Sequence, residues 1–445
     1  MPRECLRIGC GAGFAADRLD AAEELVRRGD LHWLALECLG ERTLAFAHRD
    51  RARDPTKGYD PRLERRMRAL LPLCRTHHTR LISNMGAANV PQAAQRTLAI
   101  ARELGLFGMR VACVLGDDVR HLLAPETPLL EGGTIAEVGR PVVGANAYLG
   151  ADAILPAIET GADVILTGRV ADPSLFLAPL RARFGWQDTD LDRLAAGVLV
   201  GHLLECGMQV TGGYFADPGF KDVPDLARCG YPLAEVAEDG SAVITKVEGT
   251  GGMVDRRTVL EQLFYEVHDP AHYLGPDVTA DFSQVMIAEV GRDRVRVWNA
   301  RGKPPPQQLK VTVGFDAGWL GEAGISYAGP NALARAELAR EVLRERLLVV
   351  HGLTCALRFD LVGVDSLHAT AGVPRSMSED VRLRVACRSI DREEVEFVLW
   401  EVEAMLCCGP AGGGGFRARL GPVVETRSCF LPRAQVRPCV EVLRA

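Results

Sequence analysis

Residues 79–91 read Thr79-Arg-Leu-Ile-Ser-Asn84-Met-Gly-Ala-Ala-Asn89-Val-Pro91, and this stretch decides the fold class. Thr79–Ser83 predicts a short, largely apolar strand. Pro91 suits the first turn of a helix, where its missing N–H costs nothing, and the helix runs to about Leu104 before Gly105 stops it. A strand, a glycine-bearing polar loop and a helix thus follow one another within some 25 residues.

The same unit recurs outward in both directions. Leu6–Gly9 predicts a strand that enters Cys10-Gly-Ala-Gly-Phe14, with Asp20 capping a helix over Ala21–Arg28. Leu31–Cys38 is the next strand, and Pro61–Arg75 the next helix. Beyond the quoted stretch lie strands at Met109–Leu115, closed by Gly116-Asp-Asp118, and at Ala162–Thr167, closed by Gly168-Arg169. Apolar strands alternating with amphipathic helices predict an α/β fold built on a large parallel sheet with helices on both faces. Ligands in such sheets bind in the crevice beyond the carboxyl ends of the strands. The glycines and polar residues of this sequence gather at those ends.

Composition narrows the class. The 445 residues are 47% apolar and 25% charged with a net charge of −6, which excludes disorder and gives no electrostatic case for nucleic acid. Thirteen cysteines, odd in number and never spaced C-x-x-C, argue against a disulfide framework or a zinc ribbon, so most are expected as small buried apolar residues. No apolar run approaches the ~18 residues of a membrane span, and Arg3, Glu4 and Arg7 interrupt any signal peptide. A cytoplasmic protein without a membrane anchor is the expectation. Glycine is in excess, at 46 residues. Serine-hydrolase elbow and phosphate-loop motifs are missing, and no His/Asp/Glu cluster has metal-ligand spacing.

After residue 175 the pattern changes. Val198–Met208 and Glu261–Val267 predict helices separated by short strands and glycine turns. Leu309–Gly314 resumes a strand, and Asn331 caps a helix over Ala332–Leu347. Val381–Cys387, Arg392–Met405, Val423–Phe430 and Val436–Leu443 then read as strand, helix, strand, strand. This predicts a small α+β module with a boundary between Gly372 and Glu379, hence domains 1–375 and 376–445.

Candidate site residues follow from the strand ends. Gly11 and Gly13 fit G-x-G-x-x-A, and three readings stand: a tight turn, a cradle for phosphate or carboxylate, and a dinucleotide loop. Asn84 is a ligand candidate, and Asn89 either joins it or caps the following helix. Arg169 can pair with a carboxylate or phosphate, or tie its own loop through Asp172. Asp118 and Asp172 are candidate proton carriers, and the Asp117-Asp118 pair can also hold a divalent cation or be two solvated loop acids. Glu205 is another candidate proton carrier, since its helix is otherwise apolar and burial raises a carboxyl pKa; a solvated acid at a helix end is the alternative. Thr211, Gly212, Gly213 and Thr250 belong to glycine loops able to line the same cleft, and Gly409–Gly415 is a lid hinge or an anion loop.

Gly11–Arg18, Glu37–Thr43, Asn84–Asn89, Gly116–Asp118 and Thr167–Pro173 together resemble the acyclic terpene utilisation AtuA family. The likeness continues through Gly207–Asp217, Glu248–Gly252, Ile325–Pro330 and Gly409–Gly415, over nearly the whole chain. It implies a large ligand-binding domain beside a small ferredoxin-like C-terminal domain, and substrates such as branched acyl-CoA thioesters. It implies no catalytic residues. The expected function is therefore a catabolic enzyme acting on a branched carboxylate or acyl-CoA, of hydratase or lyase type, with cofactor unknown and no metal. Arg169 and the glycine loops would hold the anion, and Glu205 or Asp118 would move a proton. The alternatives are a non-catalytic ligand-binding or scaffold subunit of a catabolic complex, and a nucleotide binder. A homo-oligomer or a partner subunit is compatible with either.

Overall fold

Strand β1 (Leu6–Ala12) is buried on both faces and anchors a ten-stranded sheet. The computed structural model describes residues 5–367 and 379–444. After β1 come α1 (Asp20–Arg28), β2 (Trp33–Leu36), α2 (Glu41–Arg53), α3 (Leu63–Thr76), β3 (Arg80–Ser83), α4 (Val90–Glu103) and β4 (Arg110–Leu115). Then follow β5 (Val142–Ala147), α5 (Ala151–Glu159), β6 (Val164–Thr167), α6 (Ser174–Phe184) and α7 (Leu191–Glu205). Strands β1, β2, β3, β6 and β4 lie side by side and parallel. Their side chains are apolar on both faces because helices cover both. Ala22, Leu25 and Val26 of α1, for example, sit at i, i+3 and i+4 and bury into the same core as Leu34, Leu81 and Leu166.

The expected all-parallel sheet needs correction. On one side of β1 the sheet continues antiparallel through β7 (Pro232–Val236), β8 (Ala242–Lys246), β12 (Arg294–Trp298) and β11 (Met286–Gly291). At the other edge the last strand, β18 (Cys439–Arg444), pairs antiparallel with β4 and not with the small sheet. Five antiparallel strands thus flank five parallel ones. Residues 436–443 read as a strand from the sequence, but the edge that accepts it is a long-range choice. Between these strands lie α8 (Arg256–Phe264) and a three-stranded sheet of β9 (Tyr273–Leu274), β10 (Thr279–Asp281) and β13 (Arg301–Lys303).

Residues Phe315–Glu425 form a second compact unit. The chain enters it along β14 (Gln308–Ala328), continues through α9 (Ala332–Glu345), β15 (Ala356–Val362), β16 (Asp380–Ser389) and α10 (Arg392–Cys408), and leaves along β17 (Gly414–Pro432). Its strands are ordered β15-β16-β14-β17. Ala336 and Leu343 of α9 share one core with Leu383, Val385, Val395 and Val402. The boundary expected at 375/376 lies outside the described residues, and elements on both sides of it belong to this core.

Local expectations moved by a few residues. Asp20 is the first residue of α1, and Leu19 holds the cap position. The helix expected over Val198–Met208 is α7, which ends at Glu205 and is followed by a single 3₁₀ turn, Gly207–Thr211. Among the described residues no helix is long and apolar enough to cross a membrane. The thirteen cysteines are free, and seven of them are buried.

Candidate functional site

The carboxyl ends of the parallel strands deliver four polar side chains side by side: Glu37 after β2, Asn84 after β3, Arg169 after β6 and Asp117 after β4. Arg169 is the hub. Its side chain is 1% exposed and each of its three guanidinium nitrogens has a protein partner. Nε donates to the Val170 carbonyl (2.8 Å), Nη1 to the Leu39 carbonyl and Nη2 to Asp172, while the plane stacks 4.4 Å from the Tyr148 ring centre. Burial opposes this charge, but Asp172, Tyr148, Glu37 and Glu41 around it raise its pKa above the ordinary arginine value. The ion pair with Asp172, one of the two readings of this motif, is therefore present.

Each neighbour is itself held. Asn84 Nδ2 donates to Glu37 Oε1 (2.9 Å), the Leu39 N–H donates to the same oxygen (2.9 Å), and Asn84 Oδ1 accepts from the Cys38 N–H (2.8 Å). Burial, and then the negative charge of Asp172, push Glu37 up to about 8. Asp117 accepts the Arg169 backbone N–H (2.7 Å) and the Asn146 amide (2.8 Å), and burial pushes it up to about 6. Asn146 in turn meets His48 Nε2 at 2.6 Å. A continuous polar chain thus runs under the strand ends.

Glu205 reaches this cluster from the last turn of α7. His202, one turn earlier, faces its Oε1 at 3.2 Å, whereas its Oε2 is buried without a partner. Burial, then Asp172 and Glu266, raise Glu205 well above the usual carboxylate range. Burial likewise lowers His202 to about 4, so both members of this pair are shifted toward their uncharged forms. The ring of Tyr273 packs 5.2 Å from His202 and 5.1 Å from Phe282. Its hydroxyl is raised well above the usual phenol value by burial and by Glu205 and Asp172.

Above these groups opens a cavity of about 620 Å³. Tyr148, Val198, Tyr273, Leu274, Leu309 and Phe430 give it apolar walls, and Asp172 and Asp277 line it as well. Lys310 lines it too and reaches Glu41 at 3.3 Å. Burial works against the Glu41 charge, but the Tyr148 hydroxyl, Arg169 and Lys310 bring its pKa down to about 2. Asp172 keeps 36% of its side-chain surface accessible, so it is the member of the cluster that a ligand can touch. Asp277 accepts from the Ala151 N–H at the start of α5 (2.7 Å) and from Ser174 Oγ at the start of α6 (2.5 Å). Burial pushes Asp277 up to about 6, and the Ser174 and Ala151 bonds at the two helix N-termini offset this only in part.

The other sequence candidates are placed elsewhere. An added Cβ on Gly11 would meet Leu34, Leu36 and Ala22, so this glycine serves sheet packing. One on Gly13 would fall 2.4 Å from the Glu205 carbonyl oxygen, so Gly13 lets the end of α7 approach β1. Asn89 donates to the Pro55 and Lys57 carbonyls (2.9 and 2.7 Å) and makes no cap bond to α4. Asp118 is exposed and accepts from the Arg120 N–H (3.3 Å). Thr211 Oγ1 donates to Gly230 (2.7 Å), Thr250 Oγ1 to Val247 (2.7 Å), and Gly212 and Gly213 turn against Val223 and Met208. In Gly409–Gly415, the Ala411 carbonyl accepts from Arg335 (2.8 Å) and β17 has begun by Gly414.

Sequence reasoning did not single out Tyr148, His202, Tyr273 or Asp277 for the site. Glu37 was reachable, since it directly follows β2. Tyr273 had no local signal, because its strand has only two residues. Cys10, Cys38 and Cys206 are raised by burial above the ordinary thiol value, which excludes a resting thiolate. Among the described residues no group of three His, Cys, Asp or Glu side chains is arranged to hold a metal ion.

These features define a mixed α/β protein in which an apolar cavity stands over a buried cluster of acids sharing one arginine. The chain belongs to the acyclic terpene utilisation family, protein AtuA, which it matches over residues 6–442. No curated protein and no solved structure matches it.

Proposed function

We propose that this protein is a catabolic enzyme of acyclic terpene utilisation that acts on a branched carboxylate or its acyl-CoA thioester by general acid–base chemistry, as a hydratase or lyase. The observation that carries this reading is the pairing of Asp172, accessible and ion-paired with Arg169, with Glu205, which is buried and raised well above the usual carboxylate range. Burial raises Asp172 as well, but Arg169 opposes the rise there more strongly than at Glu205, and two carboxyl groups held unequally can act as base and acid. The apolar cavity suits a branched hydrocarbon chain, and its volume falls in the range of small-molecule sites. In this reading Arg169 orients Asp172 and does not clamp the substrate, because its donors are already engaged. Lys310 is the cation left to meet an anionic group.

The test is turnover of branched, unsaturated C10 acyl-CoA esters and their free acids by the purified protein. Asp172→Asn and Glu205→Gln should each lower kcat by about 10²- to 10⁴-fold, the usual worth of a general acid or base. Glu205→Gln should leave Tm nearly unchanged, whereas Asp172→Asn, which strips the buried Arg169 of its carboxylate partner, should also lower Tm. Full activity in both variants would remove the assignment. The scaffold alternative predicts instead that these esters bind without turnover until a partner enzyme is added.

The element order of Phe315–Glu425, strand-helix-strand-strand-helix-strand, supports reading it as the ferredoxin-like module. Its strand order, and the antiparallel pairing of β16 with both β14 and β15, support the same reading.

A further inference from the structure

The loop leaving β1 and the first turn of α1 form one wall of a second cavity, of about 460 Å³, and the start of α3 forms another. Four arginines line it: Arg18, Arg62, Arg65 and Arg66. Arg66 is only 2% exposed. Its Nη2 donates to the Asp17 and Ala15 carbonyls (3.0 and 3.3 Å), while Nε and Nη1 are buried without a partner. This buried guanidinium, held by two neutral carbonyls, has among the described residues no carboxylate within ion-pair distance. The nearby buried Asp60 spends Oδ1 on the Arg62 N–H (2.6 Å) and meets the Arg66 charge only at longer range.

The remaining charges around the cavity point the same way. Arg18 reaches only neutral groups, the Ala227 carbonyl (2.6 Å) and the Met208 sulfur (2.9 Å). Arg62 and Arg65 are exposed and, among the described residues, have no carboxylate partner. Of the three acids lining the cavity, Asp17 accepts the Gly13 N–H (2.8 Å) and Glu23 pairs with Arg27 (2.7 Å), which leaves Asp20. Both helices that start here lack a side-chain cap, because Leu19 and Arg62 occupy the cap positions. At the start of α3 the Leu63 N–H already donates to the Asp60 carbonyl (3.0 Å), whereas the first N–H groups of α1 have no side-chain cap and are available to an anion.

We infer that this cavity binds a phosphate group. A tetrahedral anion bearing up to two charges can accept from several arginine forks and helix N–H groups at once. The phosphate has two candidate sources, free inorganic phosphate or pyrophosphate, and the phosphate-bearing end of a larger ligand such as coenzyme A. The inference is independent of the chemistry assigned to Asp172 and Glu205.

The experiment is calorimetric titration of the full-length protein with inorganic phosphate, with pyrophosphate and with coenzyme A, repeated on R62A/R65A, on R66M and on R292A as a distant surface control. At least one probe is expected to bind saturably. The affinity should fall about ten-fold or more in R62A/R65A, as expected for losing charge-assisted contacts, and stay unchanged in R292A. R66M should abolish the phosphate-induced rise in Tm. Binding of phosphate or pyrophosphate as tight as that of coenzyme A assigns the free anion, and a clear preference for coenzyme A assigns the larger ligand. Failure of all three probes to bind saturably at millimolar concentration, or equal binding by R62A/R65A and the parent protein, overturns the inference.

Discussion

Arg169→Met is the perturbation that most directly tests the site. It keeps most of the side-chain volume and removes the charge that Asp172, Glu37 and Glu41 share. Breaking a buried ion pair by deleting one partner costs about 3–5 kcal/mol. Asp172 retains 36% of its surface, so water partly compensates it and the lower end, about 3 kcal/mol, applies. The Leu39 and Val170 carbonyls lose their donors in the same step, a loss already included in that figure and not additive to it. At roughly 2–4 °C per kcal/mol for a large domain, Tm should drop by roughly 6–12 °C. The loss should shrink toward low pH, where Asp172 and Glu37 take up protons and need no counter-charge. Scanning calorimetry at acidic and alkaline pH measures both effects. A variant that kept its Tm and pH profile while losing only activity would show that the guanidinium is free to hold substrate, and would refute its structural role.

Two further outcomes are expected. Glu37 sits at about 8 in the folded protein against 4.5 for an ordinary glutamate, so the native state binds more protons in that window and stability falls as pH rises through it. His202, lowered from 6.5 to about 4, acts in the opposite direction but only below 6.5. Lowering the pH from about 8 to about 6.5 should therefore raise Tm, and Glu37→Gln, whose amide oxygen still accepts from Asn84 and Leu39, should flatten the profile. A parent Tm that climbs with pH across this window would contradict the assignment. Gly13→Ala places a methyl 2.3 Å from the Cys206 carbonyl carbon, so the end of α7 must shift. A loss of about 1–3 kcal/mol in urea unfolding is expected, as for other overpacked sites, and unchanged stability would mean that α7 yields freely.

Much of the large sheet was legible in the sequence for a physical reason. Strands β1, β2, β3, β4 and β6 are short apolar runs closed by glycine or polar turns, and such patterns are local. Arg169, Asp172 and Asn84 do stand at those strand ends, and the fold decides for burial of Glu205, which its apolar neighbours on α7 left open against a solvated helix end. Adjacent acids were harder. Asp117 and Asp118 follow the same strand, and successive residues face opposite ways, so only the fold decides that Asp117 is buried and Asp118 exposed.

What remained belongs to pairing and packing between residues far apart in the chain. The sequence reads residues 436–443 as extended, but joining β18 to β4 depends on which sheet edge is open after everything else has folded. Gly11 and Gly13 are indistinguishable from a phosphate loop in sequence, since close approach to a ligand and close approach to α7 both demand a missing side chain. Tyr273 reaches the cavity from about a hundred residues beyond Asp172, on a strand too short to announce itself. Local propensity and periodicity therefore set the elements and where polar residues cluster. The partner of each edge strand, the face of each acid and the saturation of Arg169 depend on tertiary contacts, because burial and hydrogen-bond satisfaction are properties of the assembled chain.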